Sequence, residues 1–370
     1  MQPRAIHNQT TTLQSIRLLR FFAAISIVVF HAETYLLRMA GGARITPLIV
    51  IPFGTDLFFV ISGFLMVYVT AGKSLTFRQF IVPRIARLIP LYWLFTSLML
   101  AILIIAPKLF HTTKLDVWHV AASYAFVPYP HPFTGLPRPL LVWGWILNLL
   151  IPISVVYAAF LGLSVRKRVF LVGTTLGAII VLNLFVKDRF GLVSFYGSPI
   201  SLEFLFGLTI GALYLELGHM RPLYASAILV LGLAILAAGL KSHVSEDPAR
   251  VWYWGTSSAC LLAGLISIEK GFGWIDFGIL NNIGDASYST ILSHFFSLGF
   301  VNCIINATHL FGVVGEAGSQ IFFVVSALAI GSLTYIYVER PWVNFVRRLE
   351  KARRDSARNI SNSVARQLVR

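Results

Sequence analysis

Charged side chains are scarce in this 370-residue chain. Asp, Glu, Lys and Arg make up 12% of it against 57% hydrophobic residues, and the mean hydropathy is +0.77. A soluble globular domain carries about 25% charged residues, so the composition excludes an ordinary water-soluble enzyme and points to repeated membrane crossing. Acidic residues are the scarcest, 15 against 30 Lys and Arg, for a net charge of +15. The basic residues punctuate apolar segments and no basic soluble domain exists to hold a duplex, which excludes nucleic acid as partner. Cysteine is almost missing: Cys260 and Cys303 lie in apolar runs and read as packing residues, not a disulfide. No P-loop or G-x-G-x-x-G stretch occurs, which disfavours a nucleotide-hydrolysing motor. Neither G-x-S-x-G nor H-E-x-x-H occurs, and His111, His119 and His131 are spread along one loop, so no metal site is expected. There is no internal repeat, low-complexity tract or second globular domain.

What is present is a series of apolar runs. Requiring about 20 residues per crossing gives ten: 16–37, 48–71, 88–106, 142–163, 169–186, 198–217, 223–240, 251–269, 283–305 and 318–338. The stretch 117–127 is too short, runs into the proline-rich VPYPHPFTGLPRP and reads as an interfacial or re-entrant piece. No small-residue cleavage site follows the first run, which is read as a retained helix. With the N-terminus inside, 21 of the 30 basic residues fall on the inner side, as the positive-inside rule asks. The expectation is an all-α integral membrane protein of about ten transmembrane helices, both termini cytoplasmic. Residues 1–342 form the membrane domain and 343–370 a basic cytoplasmic tail that rests on anionic lipid.

Several expensive polar groups interrupt these runs. In RFFAAISIVVFH, Arg20 and His31 are eleven residues apart. At about 100° per residue that is about 20° beyond three turns, so they share a face about 16 Å apart along the axis. Arg17 joins that face. Two readings stand side by side: a snorkelling arginine with a locally satisfied histidine, or two groups turned into a cavity. Asp56 lies near the start of the second run, with Ser62 further in; it is either a helix cap or a buried carboxylate whose natural partner is an Arg or His on a neighbouring helix. Arg84 and Arg87, at i and i+3 between Pro83 and Pro90, project from one face of the third helix, and Arg suits bidentate phosphate recognition. Pro90 is expected to kink that helix. Further along stand Asp285, read as an N-cap, then Ser287, Tyr288 and His294, which line a cavity or bond neighbouring helices. Glu339 is expected to pair with Arg340 before Pro341 ends the helix.

In order and spacing, LQSIRLLRFFAAISIVVFH, FGTDLFFVISGF, RIARLIPLYW, GDASYSTILSH and VERP resemble the membrane acyltransferase-3 family, and within it the exopolysaccharide-production O-acetyltransferases. The resemblance covers roughly residues 13–342. It implies an O-acyltransferase of the cell inner membrane that moves an acyl group, usually acetyl, from cytoplasmic acyl-CoA to a sugar of a polysaccharide or lipid-linked oligosaccharide. Acyl-CoA is then the donor substrate, with no permanently bound cofactor; membrane lipids surround the protein and polysaccharide-assembly proteins are possible partners. By the family's motifs, Arg17, Arg20, Arg84 and Arg87 would hold the CoA phosphates. His31 would act as general base or acyl-carrying nucleophile, and Asp56 would orient or charge-stabilise its imidazole.

One departure stands out. The family's W-T/S-L-x-x-E pattern reads here as Trp145, Ile146, Leu147, Asn148 and, where glutamate is expected, Leu150, with Pro152 behind it. Asn148 and Ser154 are the nearby polar groups. The departure keeps open a catalytically impaired family member; a transporter of glycan or lipid precursor is the other alternative, disfavoured by the missing inverted repeat.

Overall fold

The computed structural model describes residues 13–42, 53–107, 114–186, 191–242, 249–273 and 276–353. The first residues of the second expected span (48–52), His111 and the tail from 354 onward lie outside these. The described residues are helical, with no strand longer than the isolated bridge Pro130–Pro137. Thirteen α-helices follow one another: α1 Gln14–Met39, α2 Gly54–Thr70, α3 Phe77–Ile105, α4 Val117–Tyr124, α5 Trp145–Ala159, α6 Val165–Phe185, α7 Leu192–Tyr196, α8 Leu202–Leu217, α9 Pro222–Lys241, α10 Thr256–Phe272, α11 Ile279–Asp285, α12 Ser287–Ala307 and α13 Phe311–Thr334. A 3₁₀ turn, Val142–Gly144, leads into α5, and π-helical turns Val251–Gly255 and Tyr335–Glu339 precede α10 and follow α13.

Nine segments among the described residues are long and apolar enough to cross a membrane, and α2, with 17 residues, is a shorter apolar helix. Each expected span therefore has a helical counterpart, and the chain is a multi-pass membrane protein. The 117–127 stretch forms only the eight-residue α4. It is tied to α3 by hydrogen bonds from Tyr92 Oη to Ser123 O (3.0 Å) and Trp93 Nε1 to Tyr124 O (3.0 Å).

Close backbone approach builds the centre. A Cβ on Gly63 of α2 would stand 2.2 Å from Phe204 O, and one on Gly207 of α8 would stand 2.0 Å from Val60 O. With no hydrophobic drive between helices in lipid, small residues that let backbones touch supply the packing, and α2 and α8 form an intimate pair. α1 lies against α2, α11, α12 and α13. Ser15, Ser26 and Glu33 on it are buried.

α3 stays helical through Pro83 and Pro90; the Ala86 carbonyl, which Pro90 cannot reach with an N–H, accepts from Trp342 Nε1 at 2.7 Å, a partner for the acceptor the proline leaves free. Two local expectations are corrected. Pro341 does not end the last helix, which continues to residue 353 after the Tyr335–Glu339 π-turn; the extra residue per turn loosens the backbone just ahead of the proline ring. Asp285 is the last residue of α11 and caps nothing; it forms an ion pair with Arg17.

Candidate active site

Burial in a low-dielectric interior forces each polar group to find a partner or line a cavity, and the partners chosen here sort the candidates. Arg20, Arg84 and Arg87 converge on a cavity of about 140 Å³, together with Ser62, Leu150 and Tyr288. Each guanidinium is anchored through Nε: Arg20 to Ser287 Oγ (3.1 Å), Arg84 to Ser154 Oγ (2.8 Å) and Arg87 to Glu339 Oε1 (3.1 Å). Glu339 is itself steadied by Ser289 Oγ at 2.6 Å, so its partner is Arg87 and not the expected Arg340. Tyr288 donates to Leu88 O at 2.5 Å. The outcome is three cations fixed by one edge, with their terminal nitrogens left for an anion. Arg17 is not among them. Asp285 and Gln14 hold it away from the cavity.

His31, also on α1, lines a second cavity of about 150 Å³ with Thr55, Arg138, Trp143, Trp145 and Arg250. The arginine and histidine cavities share Trp143, Ile146 and Ile291 as lining, so the two adjoin at these side chains, with Arg20 lining one and His31 the other. The His31 ring lies 3.5 Å, centroid to centroid, from the Trp143 indole and 5.2 Å from the stacked His294 ring. His294 is fully buried, and its Nδ1 lies 2.6 Å from Ile291 O. A carbonyl only accepts, so Nδ1 carries the hydrogen and Nε2 is left with a bare lone pair. No side-chain hydrogen bond holds His31 among the described residues.

Asp56 does not orient that imidazole. It is buried at the start of α2, and Arg250 grips it through Nε to Oδ1 (2.9 Å) and a terminal nitrogen to Oδ2 (2.6 Å). Glu203 of α8, also fully buried, lies within hydrogen-bonding reach of Asp56. The natural partner expected for Asp56, an Arg or His from elsewhere in the chain, is this arginine. Neither carboxylate lines the arginine, histidine or loop cavity, whereas Arg250 lines the last two.

A third cavity of about 290 Å³ adjoins the second through Arg138, Trp145 and Arg250, and adds Pro137 and Leu136 of the proline-rich loop and Ser198 before α8. Arg138 lies over the Trp145 ring at 5.0 Å. Asn148, expected near the site, is buried away from all three cavities, with neither amide atom hydrogen-bonded. No group of three or more metal-ligating side chains gathers among the described residues.

Trp143, Arg138, Arg250 and Glu203 were missed from sequence. Trp143 sits two residues before the W-x-L motif, and only the 3₁₀ turn puts its ring on His31. Arg250 counts in sequence as one more loop cation; its tie to Asp56, 194 residues away, leaves no local trace.

Three adjoining cavities, one lined by Arg20, Arg84 and Arg87, one by His31 and one by the proline-rich loop, suit a group-transfer site. Comparison with known proteins agrees with that class. The chain matches the acyltransferase-3 family, described as an acyltransferase domain, over residues 13–338, and it belongs to that family. Among individual relatives, it is 32% identical over 316 residues to the exopolysaccharide production protein ExoZ of Rhizobium meliloti (strain 1021), covering 84% of this chain and 93% of the relative. No solved structure matches it.

Proposed function

We propose that this protein transfers an acyl group, acetyl in the simplest case, from cytoplasmic acyl-CoA to a sugar hydroxyl of an exopolysaccharide or its lipid-linked precursor, in the cell inner membrane. The observation that carries the reading is the set of three adjoining cavities, lined in turn by Arg20, Arg84 and Arg87, by His31 and by the proline-rich loop. Family membership and the likeness to ExoZ support an acyltransferase acting on such a glycan. With both termini cytoplasmic, the arginine end faces the cytoplasm.

In this scheme the terminal nitrogens of Arg20, Arg84 and Arg87 take the CoA phosphates as charge-assisted hydrogen bonds. The pantetheine arm runs along the apolar wall of Ile146, Leu147 and Ile291. The axial rise of about 16 Å from Arg20 to His31 brings the thioester to the imidazole. His31 then removes the proton from the sugar hydroxyl as its oxygen attacks the thioester carbonyl carbon. When the C–S bond breaks, the proton passes from His31 to the thiolate, leaving an O-acyl sugar and free CoA. The Trp143 indole and the His294 ring hold the His31 plane, the positioning that a carboxylate supplies in hydrolytic triads. Asp56 contributes indirectly, by fixing Arg250 at the edge of the histidine cavity.

The test compares the exopolysaccharide made by strains carrying wild-type protein, no protein, or His31→Ala. Ester-linked acetyl signals in the proton NMR spectrum, with the matching mass increments, are expected in the first strain alone. Equal acetylation in all three would overturn the proposal.

A further inference from the structure

We propose that Arg138 is an anion-binding subsite for the acceptor, taking the carboxylate or phosphate oxygens of an acidic sugar while a hydroxyl of the same sugar faces His31. The inference rests on the acyltransferase reading for what the sugar is doing there, but not for the charge preference itself.

Among the described residues Arg138 makes no side-chain hydrogen bond and no ion pair; its guanidinium lies over the face of Trp145 at 5.0 Å. It is nonetheless half-buried. Burial and the positive charge of Arg250 lower its affinity for a proton below the usual arginine value. Every other cation lining the recess has a fixed partner: Arg250 has Asp56, Arg87 has Glu339, and Arg20 and Arg84 have serine hydroxyls. Asp56 is held by Arg250, and neither Asp56 nor Glu203 lines the loop cavity or the histidine cavity that Arg138 faces. A guanidinium with five donors in a planar fork is thus left facing open space.

That space has the shape of an acceptor site. Arg138 lines both the loop cavity, of about 290 Å³, and the histidine cavity, of about 150 Å³. The larger lies near the lower end of the roughly 300–1,000 Å³ common for small-molecule sites, adequate for one sugar residue. Trp145 forms a flat wall in both, against which the apolar face of a pyranose ring can lie. The main-chain carbonyl of Arg138 accepts from His119 Nε2 at 2.8 Å, so the backbone beneath the guanidinium is fixed. A sugar gripped by its anionic group at Arg138 has its other edge next to His31.

The experiment measures binding of methyl glucuronide, glucose 1-phosphate and neutral methyl glucoside to the full-length protein in nanodiscs at low salt, by calorimetry. Wild type is expected to bind at least one anionic sugar roughly tenfold or more tighter than the neutral one, the size of one charge-assisted contact. Tighter binding of the glucuronide assigns a carboxylate, and tighter binding of the phosphate assigns a phosphorylated sugar. Arg138→Gln should abolish the preference and Arg138→Lys should keep part of it; both leave the backbone bond to His119 in place. Equal binding of charged and neutral sugars, no binding of any, or a preference that survives Arg138→Gln overturns the subsite. His31→Ala separates the two readings, because it should keep the charge preference and lose ester formation from acetyl-CoA. If wild type prefers anionic sugars yet forms no ester, the acyltransferase reading fails and the subsite stands. If it acylates neutral and acidic sugars with equal efficiency, the reverse holds.

Discussion

Arg250 holds Asp56 by both carboxylate oxygens, at 2.9 and 2.6 Å, across 194 residues of sequence. The pair closes one wall of the histidine cavity and takes Asp56 away from His31. A motif aspartate near a motif histidine invites a triad; the structure assigns it instead to an ion pair that positions an arginine.

Breaking that pair leaves a charge without its partner in a low-dielectric setting. Asp56→Asn is expected to destabilise the protein by about 3 kcal/mol, the scale of an orphaned buried ion, read as a lower thermal midpoint in detergent. Arg250→Gln added to Asp56→Asn should restore part of that loss, as a double-mutant cycle reports for groups in contact. If Asp56→Asn leaves stability intact and lowers only kcat, Asp56 acts on the chemistry after all.

Removal of the imidazole separates binding from chemistry. His31→Ala is expected to lower kcat by about 10²–10⁴, the range for a general base, with acyl-CoA affinity changed little because the arginine cavity is untouched. A mutant that loses affinity and turnover together would place His31 in donor binding.

The arginines predict the opposite split. Arg84→Gln or Arg87→Gln each removes a charge-assisted contact, of about 1.5–3 kcal/mol, and should raise KM for acyl-CoA by roughly ten- to a hundredfold with kcat nearly kept; Arg87→Gln should also lower stability, since it leaves the buried Glu339 without its cation. Arg17→Gln should affect stability, through the lost Asp285 ion pair, and leave KM alone. Equal KM effects from Arg17 and Arg87 would contradict the division between them.

Leu150 stands where the family pattern has glutamate, and it lines the arginine cavity without reaching the histidine cavity. Leu150→Glu therefore adds a carboxylate beside Arg20, Arg84 and Arg87, where it competes with phosphate. A higher KM for acyl-CoA and no gain in kcat are expected in a coupled thiol-release assay. A tenfold gain in kcat would show that the leucine had impaired the enzyme.

The parts legible in sequence are those governed by local rules. Apolar run length located the long apolar helices among the described residues, and helical phase put Arg20 and His31 on adjoining cavities, because both depend on residues next to each other along the chain. The local rules failed where distant helices intervene. Trp342 supplies the hydrogen bond that keeps α3 helical past Pro90, and Glu339 turns from its neighbour Arg340 to Arg87, 252 residues away. Asn148 looked like a site residue from its motif, yet the turn that starts α5 points Trp143 and Trp145 at the cavities and leaves Asn148 out. Arg138 and Arg250 counted only as loop charges until packing brought both to the edge of His31.

The most direct test of a route from the arginine end to the histidine end is a sided assay in proteoliposomes. Radiolabelled acetyl-CoA is supplied only on the face bearing the C-terminus, and de-esterified exopolysaccharide only on the other. Base-labile label on the polysaccharide is expected with wild type and absent with His31→Ala. Label that appears only when both substrates share one face, or that persists without His31, would contradict transfer through the recess.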